Sequence, residues 1–93
     1  MKDLLNCIPT IKGGLVIREE NEGYLLYNPD TDQLHSISDD AYSFLQLLDG
    51  TRNVESAIHT FTQNLDEKEA GLAKWLTLLL VKDFMDRQLV AVE

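Results

Sequence analysis

The chain has 93 residues, with 8 Lys and Arg against 16 Asp and Glu, and therefore a formal net charge of −8. This length suits one small domain, and an apolar fraction of 44% argues against general disorder despite the charge. The single cysteine excludes an intramolecular disulfide framework and a multi-cysteine zinc site. Because nucleic-acid binding needs clustered Lys and Arg, the acidic balance disfavours that class of partner.

Nothing in the sequence predicts a membrane segment or a secretion signal. No apolar run exceeds four residues, the length of Leu78 to Val81, which is far shorter than the about 20 apolar residues that a spanning helix needs. Asp3 lies near the start, and no apolar core of signal-peptide length follows it. We therefore expect a soluble cytoplasmic protein with no membrane contact. We expect one domain over residues 1–93, with an irregular lead-in over residues 1–14 that contains Pro9 and two adjacent glycines.

The part of the chain after this lead-in predicts three strands in meander order. Runs of β-prone residues occupy positions 15–19, 24–27 and 33–37. The first two are joined by a turn that ends in Gly23, and the last two by a turn with Pro29 at an early position.

After Ile37 the apolar spacing changes to that of helices, and three helices are predicted. Ser38, Asn53 and Asp66 are good N-caps for them. The first helix is expected to stop at Gly50, the third runs to about residue 87, and residues 89–92 form a short tail strand. Strands followed by helices indicate an α+β domain.

The third helix is apolar on two faces, where a helix packed on a single core has one apolar stripe. Either the helix is sandwiched between other elements, or one face lines a groove that awaits a partner, and the two interpretations overlap. At about 100° per residue, one side carries Leu72, Leu76, Leu79 and Leu80, and roughly the opposite side carries Leu78, Val81 and Met85, bordered by Lys74 and Lys82.

The residues offer no catalytic, metal or cofactor site. His35 and His59 have no Cys or Ser placed near them in a recognisable motif, and no metal-ligand spacing includes them. His35 is interpreted as a cross-strand polar neighbour or as a contact for a ligand, and His59 as solvent-exposed. Cys7, with no basic neighbour to lower its pKa, is interpreted as an incidental thiol in the lead-in.

Three segments of the chain together resemble a known family. They are Leu25-Leu26-Tyr27-Asn28-Pro29, then Leu34 to Ser38, then Phe44-Leu45-Gln46-Leu47-Leu48-Asp49-Gly50-Thr51-Arg52 with a helix beginning at Val54. In this order and spacing they resemble the PqqD family, named for pyrroloquinoline quinone biosynthesis. Its members are also called RiPP recognition elements, RiPPs being ribosomally made, post-translationally modified peptides. The resemblance runs from about Pro9 to Val92, with Ser38 where the family often has Asn and Gln88 where Gly is common.

The resemblance implies a winged helix-turn-helix domain of three antiparallel strands followed by three helices, which binds no DNA and is not an enzyme. It implies a peptide chaperone that captures the leader segment of a precursor peptide and delivers it to a modifying enzyme, often a radical S-adenosylmethionine enzyme. The leader is expected to add as a strand beside the third strand, in the groove between that strand and the third helix.

On this basis the candidate peptide-binding residues are Gln33, Leu34, His35, Ser36 and Ile37 of the third strand and Lys74, Leu78, Val81, Lys82 and Met85 of the third helix. The apolar helix residues are expected to wall a pocket for leader side chains. The two lysines either meet acidic leader residues or are ordinary solvated helix charges. Two other hypotheses remain at this stage, a winged-helix nucleic-acid-binding regulator and a homodimer in which the apolar face of the third helix packs on itself.

Overall fold

The computed structural model describes residues 4–92, and its three-stranded sheet follows the predicted meander. The strands are β2 (Val16–Glu20), β3 (Gly23–Asn28) and β4 (Gln33–Ile37), all antiparallel, in the order β2-β3-β4. The three predicted strands are therefore confirmed, with the ends of the first two displaced by one residue. β2 and β4 form the two edges of the sheet.

The register of the sheet gives it one face toward the helices and one toward solvent. Leu26 pairs with His35, and Tyr27 pairs with Leu34. Leu26 is fully buried, whereas Leu34 is 63% exposed. Because alternate residues of a strand point to opposite faces, His35 and Ile37 of β4 lie on the same side as Leu26, toward the core.

Three helices follow the sheet and confirm the predicted helices. They are α1 (Asp39–Gln46), α2 (Val54–Thr62) and α3 (Glu67–Asp86). Each begins at its predicted cap, whose side-chain oxygen accepts a hydrogen bond from a main-chain N–H three residues later and so satisfies one of the free donors of the first turn. The bonds join Ala41 to Ser38 at 3.1 Å, Ser56 to Asn53 at 2.8 Å, and Glu69 to Asp66 at 2.8 Å.

The expected irregular lead-in is wrong for the described part of residues 1–14. Leu4–Asn6 form a turn of 3-10 helix, and β1 (Pro9–Ile11) pairs antiparallel with β5 (Val90–Val92). Pro9 opens this strand, a position where the missing proline N–H breaks no ladder. Cys7 is buried in the core rather than lying in a loose segment. The predicted tail strand is confirmed, and its partner is the segment that the prediction left irregular; residues 1–3 lie outside the described residues.

The same N-terminal segment fixes the connection between α1 and α2. Helix α1 ends at its C-cap Leu47, before the predicted stop at Gly50, because the chain then turns to meet β1. The main-chain N–H of Gly50, at a positive φ of 82°, donates to the carbonyl of Pro9 at 3.0 Å. The N–H of Val54 donates to the carbonyl of Cys7 at 2.9 Å. The Asp49–Arg52 turn is thus held against the N-terminal strand.

The sheet, the helices and the terminal strands share one hydrophobic core, and the chain is an α+β protein as predicted. Among residues 4–92, no helix has the length and hydropathy needed to cross a membrane. Besides Pro9 of β1, the fully buried apolar side chains come from β3, from all three helices and from the segments that follow α1 and α3. They are Leu26, Phe44, Leu45, Leu48, Val54, Ala57, Val81, Phe84 and Leu89.

Candidate functional site

Strand β4 presents an edge that no other strand of the described chain covers. The sheet ends at β4, and its residues, Gln33 to Ile37, include no Asp, Glu, Lys or Arg. The opposite edge, β2, carries Arg18, Glu19 and Glu20. Charged side chains are a common protection of sheet edges against further pairing. Of the two edges, β4 is therefore the one suited to accept an additional strand.

A groove begins where β4 ends. It has a volume of about 380 Å³ and lies between the start of α1, the end of α2 and one face of α3. Ser38, the residue directly after β4, is part of its wall, so the groove adjoins the end of the strand. Its lining residues are mostly apolar or small: Ser38, Asp40, Ala41, Phe61, Ala73, Leu76, Thr77 and Leu80.

Most polar groups of this groove already form hydrogen bonds within the protein. The Oγ of Ser38 accepts the capping bond from Ala41. The hydroxyl of Thr77 donates to the carbonyl of Ala73 at 2.7 Å, within α3. Among the lining residues, Asp40 alone carries a charge, and it is exposed. The groove is thus an apolar site with a single acidic group at its rim.

The aromatic wall of the groove is held by the core behind it. Phe61 of α2 packs edge-on against Phe44 of α1, with ring centroids 5.3 Å apart. Phe44 is fully buried, which fixes the orientation of its partner. Near the end of β4, the rings of Tyr24 and Tyr42 stack at 3.7 Å and join the sheet to α1. Desolvation, followed by the nearby carboxylate of Glu19, raises the pKa of Tyr24 above its ordinary value.

His35, in the middle of β4, has a buried nitrogen with unused hydrogen-bonding capacity. Its Nε2 has no hydrogen-bond partner among the described residues, although the side chain is partly exposed. An unpaired polar atom in a buried position costs about 1–3 kcal/mol. The residue lies on the core-facing side of the open edge, where a side chain from an added strand would also lie.

The structure places the five predicted strand residues along the open edge. Gln33, Leu34 and Ser36 are exposed, His35 is partly exposed, and Ile37 is buried beside the start of the groove. Leu34 and Ser36 lie on the solvent face of the sheet, so a strand added at this edge would meet them away from the groove.

The predicted wall of apolar helix residues requires correction. Val81 is fully buried in the core and has no surface for a partner. Leu78 and Met85 are partly buried against the same core, and Met85 lines a different cavity, with Leu4, Cys7 and Val92. The predicted face of α3 packs on the core and, at Met85, lies beside the N-terminal segment and β5, a pairing that no local sequence pattern indicates.

The two predicted lysines do not line the groove beside β4. Lys74 lines a second cavity, of about 470 Å³, between α2 and α3, together with Glu55 and His59. Lys82 is exposed and lines neither of these cavities. His59 is exposed, as predicted.

None of the eight lining residues of the groove was among the candidates from sequence: Ser38, Asp40, Ala41, Phe61, Ala73, Leu76, Thr77 and Leu80. Leu76, which is predicted on the side of α3 away from Val81, is exposed, whereas Leu80 is partly buried against the core. The small residues Ala73 and Thr77, four apart on α3, lie in the groove wall beside these leucines.

No group of three or more His, Cys, Asp or Glu side chains within residues 4–92 is arranged to hold a metal ion. Comparison of the chain with protein-family models, with curated proteins and with solved structures found no match. Any assignment of function therefore depends on the geometry of the open edge and the groove.

Proposed function

We propose that this chain is a PqqD-like winged helix-turn-helix module that binds the leader segment of a ribosomally made precursor peptide. The leader adds as a strand along β4, and its apolar side chains enter the groove between α1, α2 and α3. The module has no catalytic role of its own. It presents the precursor to a modifying enzyme, for which a radical S-adenosylmethionine enzyme is our first candidate.

The observation that carries this proposal is the continuity between the open edge of β4 and the apolar groove that begins at Ser38. A peptide that pairs with Gln33–Ile37 has alternate side chains on the core-facing side of the sheet. Addition of a strand to an exposed sheet edge, with pockets for alternate side chains, is a known mode of peptide recognition. The edge supplies main-chain bonds, and the groove supplies selectivity.

Both parts are needed on energetic grounds. A few main-chain hydrogen bonds contribute about 1 kcal/mol each, and ordering a disordered segment costs about 2–5 kcal/mol or more. The main-chain hydrogen bonds of strand pairing alone therefore only about offset the entropy cost of ordering the peptide. They also do not distinguish one peptide sequence from another. Each apolar side chain that is fully buried contributes about 1.5–3 kcal/mol, so two or three anchors in the groove would account for useful affinity.

The charge at the groove favours a different leader from the one first expected. Asp40 is the charged residue of the lining, and Lys74 and Lys82 lie elsewhere. Because the whole chain also has a formal charge of −8, an acidic segment would be repelled during association. We therefore propose a leader segment with two or three apolar residues and a Lys or Arg near them.

His35 supplies a further element of recognition in this proposal. Its unpaired Nε2 lies on the strand to which the leader adds. A hydroxyl on the residue that pairs next to it would satisfy this nitrogen. The cost of the unpaired atom would then be recovered in the complex.

Selection of peptides from a random display library, followed by NMR titration with a selected sequence, tests this function. We expect selected peptides to contain alternating apolar residues and to shift the amide signals of Gln33–Ile37 and of groove residues such as Ala73 and Leu80. Residues of β2, at the other edge, serve as the internal control and should shift little. Selection of no peptide, or shifts that map to β2 or to the second cavity, would contradict the proposal.

A further inference from the structure

Helix α3 carries an exposed apolar stripe on the side that faces away from the core. The stripe consists of Leu72, Trp75, Leu76 and Leu79, whose side chains are between 49% and 63% exposed. At about 100° per residue, Val81 lies opposite Leu72, and it is fully buried. The domain therefore lies behind the helix, and nothing in the described chain covers the stripe. Contiguous exposed apolar surface of this kind usually marks an interaction site.

The residues of the stripe and the charged residues beside it form three columns along α3, each with a seven-residue repeat. One border column consists of Lys68, Trp75 and Lys82, and the other consists of Glu69, Leu76 and Asp83. Leu72 and Leu79 form the column between them. A seven-residue repeat keeps the same columns facing a neighbouring helix along its length, with a slight left-handed supercoil.

The two border columns are complementary to each other. If two copies of α3 pack in parallel about a two-fold axis along the helices, each border column meets the other column of the partner. Lys68 then meets Glu69, Lys82 meets Asp83, and Trp75 meets Leu76. In an antiparallel packing, each border column would lie against the same column of the partner, running in the opposite direction. This would bring Lys68 against Lys82, and Glu69 against Asp83.

We infer that the stripe is the interface of a parallel homodimer in which α3 packs against α3 of a second copy. A second copy is favoured over another protein because the surface is complementary to itself, as a two-fold interface requires. Its centre is apolar and contains a tryptophan, and its border is charged, which is the usual arrangement of an interface. The inference does not rest on the proposed peptide-binding function. Leu76 alone belongs to both surfaces, and the remaining groove residues stay accessible in the dimer.

The chain carries a probe of this interface, because Trp75 is its single tryptophan. Sedimentation velocity on the full chain, from low to several hundred micromolar protein, should show conversion from monomer to dimer. The emission of Trp75 should shift to shorter wavelength over the same concentration range, as its indole leaves water. A monomer throughout this range, or an emission maximum that does not move, would overturn the inference.

A charge exchange tests the parallel orientation. Neither Lys68 nor Glu69 makes an ion pair within residues 4–92, and a glutamate in the first turn suits the helix dipole, so Lys68→Glu should preserve the fold. In the parallel dimer, the Lys68→Glu variant places the introduced glutamate of each copy against Glu69 of the other, so two repulsive contacts form per dimer. Dimerisation should weaken by about tenfold at low salt. The double variant Lys68→Glu with Glu69→Lys restores opposite charges and should recover most of the loss. If the single variant strengthens dimerisation or the double variant does not recover, the parallel arrangement is wrong.

Removal of the apolar contact gives an independent measurement. Leu72→Glu, in the central column, should leave a monomer at all concentrations tested. Val16→Glu on β2, a residue of similar exposure away from the stripe, is the matched control and should dimerise as the parent chain does. Circular dichroism spectra of both variants should match the parent, since both side chains are exposed. Equal effects of the two variants would contradict the assignment of the interface to α3.

Discussion

The side-chain amide of Asn28 donates a hydrogen bond of 3.2 Å to the main-chain carbonyl of Gln88 and so joins β3 to the second residue after α3. Asn28 is fully buried, and its Oδ1 accepts a hydrogen bond from the N–H of Asp30 at 3.0 Å. Lys12 and Asp30 form an ion pair of 2.9 Å beside this contact. These bonds hold the sheet that carries β4 against the helix that forms one wall of the groove.

Replacement of Asn28 should therefore destabilise the fold strongly. Asn28→Ala removes a fully buried side chain together with its hydrogen bonds to the Gln88 carbonyl and the Asp30 N–H, at a cost of about 2–3 kcal/mol. Urea unfolding measures this change. Asn21→Ala, in the exposed turn between β2 and β3, is the control and should change stability by less than about 0.5 kcal/mol. A loss at Asn28 no larger than at Asn21 would show that this contact does not fix the sheet.

The left-handed backbone conformation of Gln88 makes this position suitable for a substitution that stabilises the fold. Gln88 has a φ of 58°, and the N–H groups of Gln88 and Leu89 donate to the carbonyls of Met85 and Phe84 at 3.0 and 2.9 Å, which forms a Schellman cap. Because glycine adopts this conformation without strain, Gln88→Gly should raise the free energy of unfolding by about 0.5–1 kcal/mol. Gln63→Gly, at a C-cap with a φ of −61°, should give no gain. Thermal unfolding of both variants distinguishes a conformational effect from a general effect of glycine.

The groove can be tested separately from the rest of the exposed helix surface. Leu76→Glu puts a carboxylate into the groove wall and should weaken binding of a selected peptide by roughly tenfold to a hundredfold, the value of one apolar anchor. Leu79→Glu places the same charge on the stripe but outside the groove. Calorimetric titration of the peptide into each variant gives the comparison. Similar losses in the two variants would mean that the peptide binds the stripe and not the groove.

A pH-dependent contribution to stability is expected from Asp49. The hydroxyl and N–H of Thr51 donate to the carboxylate of Asp49, and together they lower its pKa, with a smaller effect of Arg52. A lowered pKa in the folded state stabilises the fold above the unfolded pKa, near pH 4, and this contribution is lost as the pH falls through the folded value. Asp49→Asn should therefore be less stable than the parent at pH 7, and the difference should shrink at pH 3. Urea midpoints at the two pH values measure it, and a constant difference would contradict the ionic origin.

The sequence was sufficient for the elements whose signals are local. The caps Ser38, Asn53 and Asp66 predicted the starts of the helices because a capping bond forms between residues three apart. The edge strand over residues 33–37 followed from β-prone residues between turn signals. The strand that forms the open edge of the sheet is therefore predictable from local sequence.

The contacts that the sequence did not predict are long-range. Pairing of β1 with β5 joins residues about 80 positions apart, and no local pattern marks a three-residue strand that begins with Pro9. This pairing brings the two chain ends together and covers the side of α3 that includes Met85. The helix has enough apolar residues on every side that periodicity alone could not select the groove face. Tertiary pairing decided which leucines stay accessible, and it left Leu76 and Leu80 in the groove.

The central claim is that a peptide becomes the strand next to β4. Its most direct test is a set of nuclear Overhauser contacts between the backbone protons of a selected peptide and those of Gln33–Ile37 in the complex. We predict regular contacts between the two backbones at alternate residues, as in a sheet, together with contacts from peptide side chains to Phe61 and Leu80. A bound peptide that has no backbone contact with β4, or that is helical, would contradict the account.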